Sequence, residues 1–157
     1  MIRTILVAFL IGLGAREAAA CSCNQAPVED AVRQADAVFL GTITDVTFLK
    51  PDFLGFWADN SGSRVIVHFA VSRVWKGPVT RRFEMQTIVE TTFCEGFYKA
   101  DLVVGKKLLV FAYRSRMGLI SSYSTNICTP TGPPGRYGDT LQKLGEPKSV
   151  FADPKSL

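Results

Sequence analysis

The chain has 157 residues, 47% of them hydrophobic, and a formal net charge of +4 at pH 7. That length suits one domain with its own hydrophobic core. The positive charge is small and scattered along the chain, which indicates a solvated surface and argues against a nucleic-acid-binding face.

The first twenty residues have the three parts of a secretory signal peptide. Arg3 supplies the positive start, residues 5–14 form an apolar run, and Ala18 and Ala20 are the small residues of a cleavage site. The apolar run is about half the ~20 residues that a membrane-spanning helix needs. We therefore expect cleavage after Ala20, no transmembrane helix, and a product that is secreted, extracellular or periplasmic.

A lipoprotein signal is the alternative, because Cys21 directly follows the predicted cut. Such signals normally place a bulky aliphatic residue three positions before the cysteine, where this chain has Ala18. Arg16 and Glu17 also separate the apolar run from Cys21. Ordinary cleavage is favoured, with a lipid anchor at Cys21 as the competing outcome.

Four cysteines follow the predicted cut: Cys21, Cys23, Cys94 and Cys128. An even number of cysteines in an exported chain is typical of disulfides. A bond between Cys21 and Cys23 would close a very short, strained ring. The two other pairings both join the N-terminus to two distant parts of the chain. A four-cysteine zinc site is the alternative, although the usual spacing of two residues between paired ligands is absent.

The rest of the chain predicts a short helix and five β-strands. The helix is indicated by apolar residues on one face at helical spacing, Val28, Ala31, Val32 and Ala35. Segments rich in β-branched and aromatic residues predict strands over 37–48, 64–75, 82–89, 106–114 and 119–124. Gly41 indicates a bulge or bend in the first strand.

Five short strands with little helix predict an all-β fold with small flanking helices. The five-stranded Greek-key OB-fold barrel is the common solution of this size. We expect one domain over residues 21–145, closed by a helix within 137–144. Residues 146–157 are expected to form a loose C-terminal tail.

The segment 49–63 between the first two strands carries Phe53, Leu54, Phe56 and Trp57, a heavy apolar content for a loop. These side chains either fold back onto the barrel or contact a partner, since exposed aromatic patches mark interfaces.

No arrangement of residues typical of an enzyme is found. His68 is the single histidine and lies on a strand face predicted to be solvated. The common nucleophile, zinc-protease and phosphate-binding motifs are absent, and oxidised cysteines offer no thiolate. We therefore expect a binding protein rather than an enzyme, without a cofactor or a metal ion of its own.

Five short motifs follow one another along the chain: Cys-Ser-Cys at 21–23, QADAVFLG at 34–41, VWKG at 74–77, CEG at 94–96 and NIC at 126–128. Together they resemble the inhibitory domain of the tissue inhibitors of metalloproteinases, a netrin-like module with an OB-fold. The resemblance covers residues 21–145 and only that one domain of the family. The compact length and short leader favour a bacterial homologue.

The resemblance implies the disulfides Cys21–Cys94 and Cys23–Cys128. It also implies that the α-amine and carbonyl oxygen of Cys21 chelate the catalytic zinc of a metalloproteinase and displace the water that zinc would activate. Ser22 would then point into the S1′ pocket of the protease.

Further protease contacts implied by the resemblance are Cys23, Thr92, Phe93 and Cys94, with Phe56 and Trp57 at the tip of the first hairpin. The family's third disulfide has no counterpart, because Arg33 stands where its first cysteine would fall. Netrin-like modules also occur in proteins that bind partners without inhibiting a protease. A non-inhibitory extracellular or lipid-anchored binding module is therefore the alternative function.

Overall fold

A computed structural model describes residues 23, 26–49, 63–89, 94–117 and 120–152. Helix α1 spans Val28–Gln34, and the first three strands are β1 (Ala37–Phe48), β2 (Ser63–Lys76) and β3 (Arg82–Val89). A 3-10 turn at Lys99–Asp101 precedes the remaining elements, which are β4 (Lys107–Met117), β5 (Ile120–Ser124), α2 (Thr140–Leu144) and β6 (Ser149–Val150).

The strands form one antiparallel sheet in the order β3-β2-β1-β4-β5, and β6 pairs with β2. β1 lies in the middle, paired with β2 on one side and β4 on the other. The register between β1 and β2 shifts between Leu40 and Gly41, but the extra residue there is Ser72 on β2, so the bulge lies opposite Gly41 and not in the first strand as expected. The all-β prediction is confirmed.

The main core lies on one face of the sheet; burial alternates along β2 and β3, whereas the central strands β1 and β4 bury consecutive residues because both of their faces are covered. In β2, Val65, Val67, Phe69 and Val71 are buried while the residues between them are partly exposed. The ring of Phe39 from β1 packs against the rings of Phe69 and Phe83, with centroids 5.4 and 4.9 Å apart.

Helix α1 covers the other face of the sheet. Val28, Ala31 and Ala35 pack in one cluster with the β-strand residues Val38, Leu40, Trp75, Leu109 and Phe111. The Trp75 indole Nε1–H donates to the carbonyl of Gly145, 2.8 Å away, and ties the end of α2 to β2. The two flanking helices predicted from the sequence are therefore present, although α2 begins at Thr140, later than expected.

The sheet curls until its two edge strands meet through side chains. The hydroxyls of Thr87 in β3 and Ser124 in β5 lie 3.0 Å apart, and the rings of Phe83 and Tyr123 are 4.9 Å apart. Between the described residues of β3 and β5 no backbone ladder forms. The described strands therefore make a strongly curled sheet rather than a closed barrel.

The expected loose tail is wrong for Ser149–Phe151. Ser149 and Val150 pair with Val74 and Arg73, and the Phe151 amide donates to the carbonyl of Ser72 over 2.8 Å. The reason is an open edge: β3 pairs with β2 only as far as Ala70, and the later backbone groups of β2 need other partners. None of the described helices is long and apolar enough to cross a membrane.

Candidate functional site

Three cysteines meet at one end of the curled sheet. Cys23 and Cys128 are joined by a disulfide, the pairing that the resemblance implies. The Sγ of Cys94 is close to both, since all three sulfur atoms lie within 4.8 Å of one another. Because disulfide sulfurs are not thiolates, the bond argues against the alternative of a four-cysteine zinc site.

Cys94 is disulfide-bonded as well. With Cys23 and Cys128 joined, Cys21 is the one cysteine of the sequence left to pair with it. Cys21 lies outside the described residues, so its pairing with Cys94 stays a prediction.

The loops that carry Cys94 and Cys128 are held together by backbone hydrogen bonds. The Ile127 amide donates to the Cys94 carbonyl over 2.9 Å, and the Gly96 amide donates to the Thr125 carbonyl over 2.8 Å. Glu95 and Asn126 form the bridge between these two bonds. The sulfur atoms are therefore brought together by the backbone as well as by the covalent bond. We call this region, Cys94–Phe97 with Thr125–Thr131 and Cys23, the cysteine end.

Two backbone conformations make the approach of these loops feasible. Cys94 has a φ of +61° and Gly96 a φ of +87°. A Cβ at Gly96 would lie 1.6 Å from the carbonyl oxygen of Ile88. Glycine is required there by both the positive φ and the close passage of β3. The sequence motif Cys-Glu-Gly thus has a local geometric reason.

Asn126 shapes the turn that presents Cys128. Its Oδ1 accepts a hydrogen bond from the Cys128 amide over 2.7 Å, and its carbonyl accepts one from the Thr129 hydroxyl over 2.6 Å. A side-chain oxygen that accepts a hydrogen bond from the backbone amide two residues later is the typical contact of an Asx-turn. Sequence reasoning noted Asn126 only as part of a motif, and the Asn-x-Cys-Thr pattern was the signal available for the turn.

A threonine network joins this turn to the core strand β4. The hydroxyl of Thr131 accepts from the Phe111 amide at 3.0 Å, while the Thr125 hydroxyl donates to the Phe111 carbonyl at 2.9 Å. The two hydroxyls lie 2.9 Å apart, and both threonines are buried. Both polar groups of the Phe111 backbone are satisfied by side chains here, so the cysteine end is tied rigidly to the sheet.

An ion-pair cluster links the segment after Cys94 to the segment after Cys128. The Asp101 carboxylate is 2% exposed; it accepts hydrogen bonds from the two terminal guanidinium nitrogens of Arg136 and, over 2.8 Å, from the Lys106 ammonium group. Burial alone would raise the pKa of Asp101, but the hydrogen bonds and charges of Arg136 and Lys106 outweigh it and hold the pKa below its usual value. Bidentate pairing of this kind gives geometric specificity.

A cavity of about 380 Å³ opens beside the Cys23–Cys128 bond. Its described lining comes from α1, from the two cysteine loops and from β4 and β5, and includes Gln34, Glu95, Tyr113, Arg114, Asn126 and Cys128. Tyr113 is half-buried, and this burial raises the pKa of its phenol. The lining combines a few apolar residues, such as Ala26 and Ala31, with many polar residues and with charged groups of both signs, Glu95 and Arg114.

Six of the eight residues predicted to contact or chelate the protease lie outside the described residues. These are Cys21, Ser22, Phe56, Trp57, Thr92 and Phe93. Cys23 and Cys94 are described and lie together. His68 lies on β2, away from the cysteine end, with its Nδ1 3.7 Å from a Glu84 carboxylate oxygen and with 43% of its side chain exposed.

Sequence reasoning missed the polar residues that build the site's surroundings. Glu95, Tyr113 and Arg114 line the cavity, and Asp101 with Arg136 braces its loops. Tyr113 and Arg114 are neighbours and Glu95 belongs to the Cys-Glu-Gly motif, but no sequence pattern marks these residues, Asp101 and Arg136 as parts of one site. No protein-family model matches the chain, and no curated protein is significantly similar to it. The family resemblance therefore rests on the motifs quoted above.

Proposed function

We propose that this chain is a secreted inhibitor of zinc metalloendopeptidases that acts through the α-amine and carbonyl oxygen of Cys21. The observation that carries the proposal is the Cys23–Cys128 disulfide, whose sulfurs lie next to that of Cys94. It fastens the chain two residues after the predicted terminal residue to loops that are themselves braced by hydrogen bonds. A terminal group held in this way loses little freedom when it binds.

The chemistry of the proposal is ligand exchange at the protease zinc. A neutral amine nitrogen and a carbonyl oxygen are acceptable zinc ligands, and the amine binds only when deprotonated. By occupying the open coordination position they displace the water that the metal activates for hydrolysis. Ser22 would enter the S1′ pocket, and Thr92, Phe93 and Cys94 would flank it. Phe56 and Trp57 would extend the contact.

The strand arrangement supports a netrin-like OB-fold as the scaffold. A five-strand order of β3-β2-β1-β4-β5, with β3 and β5 drawn together by Thr87–Ser124 and Phe83–Tyr123, fits a partly open five-stranded barrel. The disulfide fits an oxidising compartment, so we propose that the protein is extracellular or periplasmic. In this proposal the protein is no enzyme, and the zinc belongs to its partner.

The second candidate is a binding module of the same fold that inhibits nothing. The cavity beside Cys128 favours it, because the cavity could hold a ligand without any role for the Cys21 amine. Acylation of that amine would favour the module further, since an amide nitrogen is a poor zinc ligand.

The test compares mature protein that begins at Cys21 with a variant carrying one extra Ala before Cys21. Both are titrated against a panel of secreted zinc metalloendopeptidase catalytic domains. We expect the extension to weaken inhibition by about 100-fold or more, because it removes the amine ligand and blocks close approach. A matched control adds one Ala after Leu157 and should inhibit like the mature protein. Equal inhibition by all three proteins would refute zinc chelation by Cys21.

A further inference from the structure

The cavity beside the Cys23–Cys128 bond is lined by polar side chains whose hydrogen bonds are not taken up by the protein. Within the part of the chain that the structure describes, no hydrogen bond is made by the Gln34 amide, the Tyr113 hydroxyl or the Asn126 Nδ2. We propose that this cavity is a saccharide site that holds one or two neutral sugar rings. The proposal rests on the second candidate function, the binding module, and is independent of protease inhibition.

Tyr113 shows most clearly that a polar group lacks a partner in the protein. Its side chain is half-buried against the cluster that α1 covers, and burial is the cause that raises the pKa of its phenol. A hydrogen bond or a neighbouring charge on the hydroxyl would also shift this pKa, and neither contributes. Because the hydroxyl can both donate and accept, it is available to a ligand.

Two side-chain amides line the same cavity from different parts of the fold. Gln34 is the last residue of α1, and Asn126 lies in the turn before Cys128. The Asn126 Oδ1 accepts from the Cys128 amide, which leaves the Nδ2 of Asn126 as a donor. Gln34 offers both a donor and an acceptor. With Tyr113, the cavity thus holds three neutral groups that match sugar hydroxyls, each of which also donates and accepts.

The rest of the described lining disfavours other classes of small ligand. Its charged residues are one anion, Glu95, and one cation, Arg114, so a ligand with a net charge gains no overall attraction. The Arg114 guanidinium also lies over the ring of Tyr123, 5.9 Å from its centroid. The aliphatic side chains are small, Ala26 and Ala31, and offer little surface to an apolar ligand.

The size of the cavity limits the length of the saccharide. Its volume of about 380 Å³ lies near the lower end of small-molecule sites, which span about 300–1,000 Å³. A site of this size takes one or two sugar rings and leaves the rest of a longer chain in solvent.

The walls of the cavity are fixed before a ligand binds. The Lys76 ammonium group donates to two carbonyls in the last turn of α1, over 2.8 and 2.9 Å. Just after α1, the Asp36 Oδ2 accepts from the Arg114 amide of β4 over 2.7 Å. The wall that contains Cys128 is held by the Asx-turn and by the bond to Cys23. Preformed walls lower the conformational entropy that is lost on binding.

The test is a nuclear magnetic resonance titration of isotope-labelled, oxidised protein. The probes are glucose, N-acetylglucosamine, maltose and cellobiose, each raised to about 50 mM, since a few neutral hydrogen bonds correspond to a dissociation constant of about 1 mM. We expect at least one of these sugars to shift the side-chain amide signals of Gln34 and Asn126 and the backbone amide signal of Tyr113. If no sugar shifts these signals, the proposal is overturned.

Two variants test whether the named groups carry the binding. Tyr113→Phe removes one hydroxyl, and Gln34→Ala removes an exposed amide that the fold does not use. We expect each to raise the dissociation constant of the best sugar about five-fold, as for the loss of one neutral hydrogen bond. Tyr98→Phe, at an exposed tyrosine elsewhere on the surface, is the matched control and should bind like the wild type. Unchanged affinity in both cavity variants would overturn the proposal.

The zwitterionic dipeptide glycylglycine separates the sugar proposal from the broader binding module. If glycylglycine shifts the signals of Gln34, Tyr113 and Asn126 and no sugar does, the sugar proposal falls and the binding module stands. If no probe shifts them, the sugar proposal falls together with the observation that favours the binding module.

Discussion

The sheet core and the cysteine end are held together by different forces. In the core, Phe39, Phe69 and Phe111 are fully buried among aliphatic side chains, and apolar burial supplies the stability. The cysteine end is stabilised instead by a disulfide and by buried threonine hydroxyls, and the Asp101 ion pairs beside it join the segments that follow its two loops. The first kind of contact is set by strand periodicity, whereas the second joins residues that are distant in sequence. The cysteine end is thus held by covalent and polar contacts, whereas the core of the sheet is held by apolar packing.

Phe39→Ala should produce the largest loss of stability, because it removes a fully buried ring that packs on both Phe69 and Phe83. We expect the free energy of unfolding in urea to fall by about 4 kcal/mol. Phe48→Ala, at the exposed end of the same strand, is the matched control and should change it by less than about 0.5 kcal/mol. Similar losses for both variants would show that the core is not where the structure places it.

The double variant Cys23→Ala/Cys128→Ala should come next. It removes a cross-link spanning 105 residues without leaving a free thiol, and we expect it to cost about 3 kcal/mol, which is typical of a native disulfide and less than the ~4.7 kcal/mol of the chain-entropy model. The measurement is urea unfolding without reductant. With excess reductant the wild type loses the same bond, so the gap between the two proteins should close. A gap that persists under reduction would mean that the substitutions act by some route other than the disulfide.

Asp101→Asn should cost about 2 kcal/mol at pH 7, because a neutral amide pairs more weakly with Arg136 and Lys106. The pKa of Asp101 is lowered in the folded protein from its ordinary value of 3.8, so its ionisation stabilises the fold above that pH. As pH falls below about 4, this contribution declines and is lost once the pH passes the folded pKa. The difference between variant and wild type should shrink over the same range.

The control for this pH series is Asp45→Asn, at an exposed position on β1. It should alter the unfolding free energy by less than about 0.5 kcal/mol. A difference for Asp101→Asn that stays constant between pH 7 and pH 2.5 would contradict the assigned role of the buried carboxylate.

Trp75→Phe should have the smallest effect, about 1 kcal/mol, because it keeps an aromatic ring in the cluster under α1 and deletes one hydrogen bond. Amide hydrogen exchange should locate the loss of stability at α2, because the Trp75 indole donates to the carbonyl of Gly145, the residue that follows this helix. Exchange that accelerates equally across the sheet would show that Trp75 supports the whole core instead.

Sequence patterns predicted the sheet well because strand burial is local information. The bounds of β1 and β3 coincide with the predicted segments, and the alternation in β2 correctly separates Val67 from His68. Small β6 was missed because its pairing depends on the unpaired edge of β2, not on its own residues. Beside the cysteine end, the ion pair of Asp101 and Arg136 was missed for the same reason. In both cases the partners are distant in sequence and come close only when the chain has folded.

The proposed function requires a free α-amine on Cys21, and that can be measured directly. The intact mass and N-terminal sequence of the exported protein should show a chain that begins at Cys21, with four fewer hydrogens than the fully reduced form because two disulfides are present. That result would support the inhibitor proposal and justify a protease panel. An acylated Cys21, or a terminus extended before it, would contradict chelation and leave the binding module as the function of this fold.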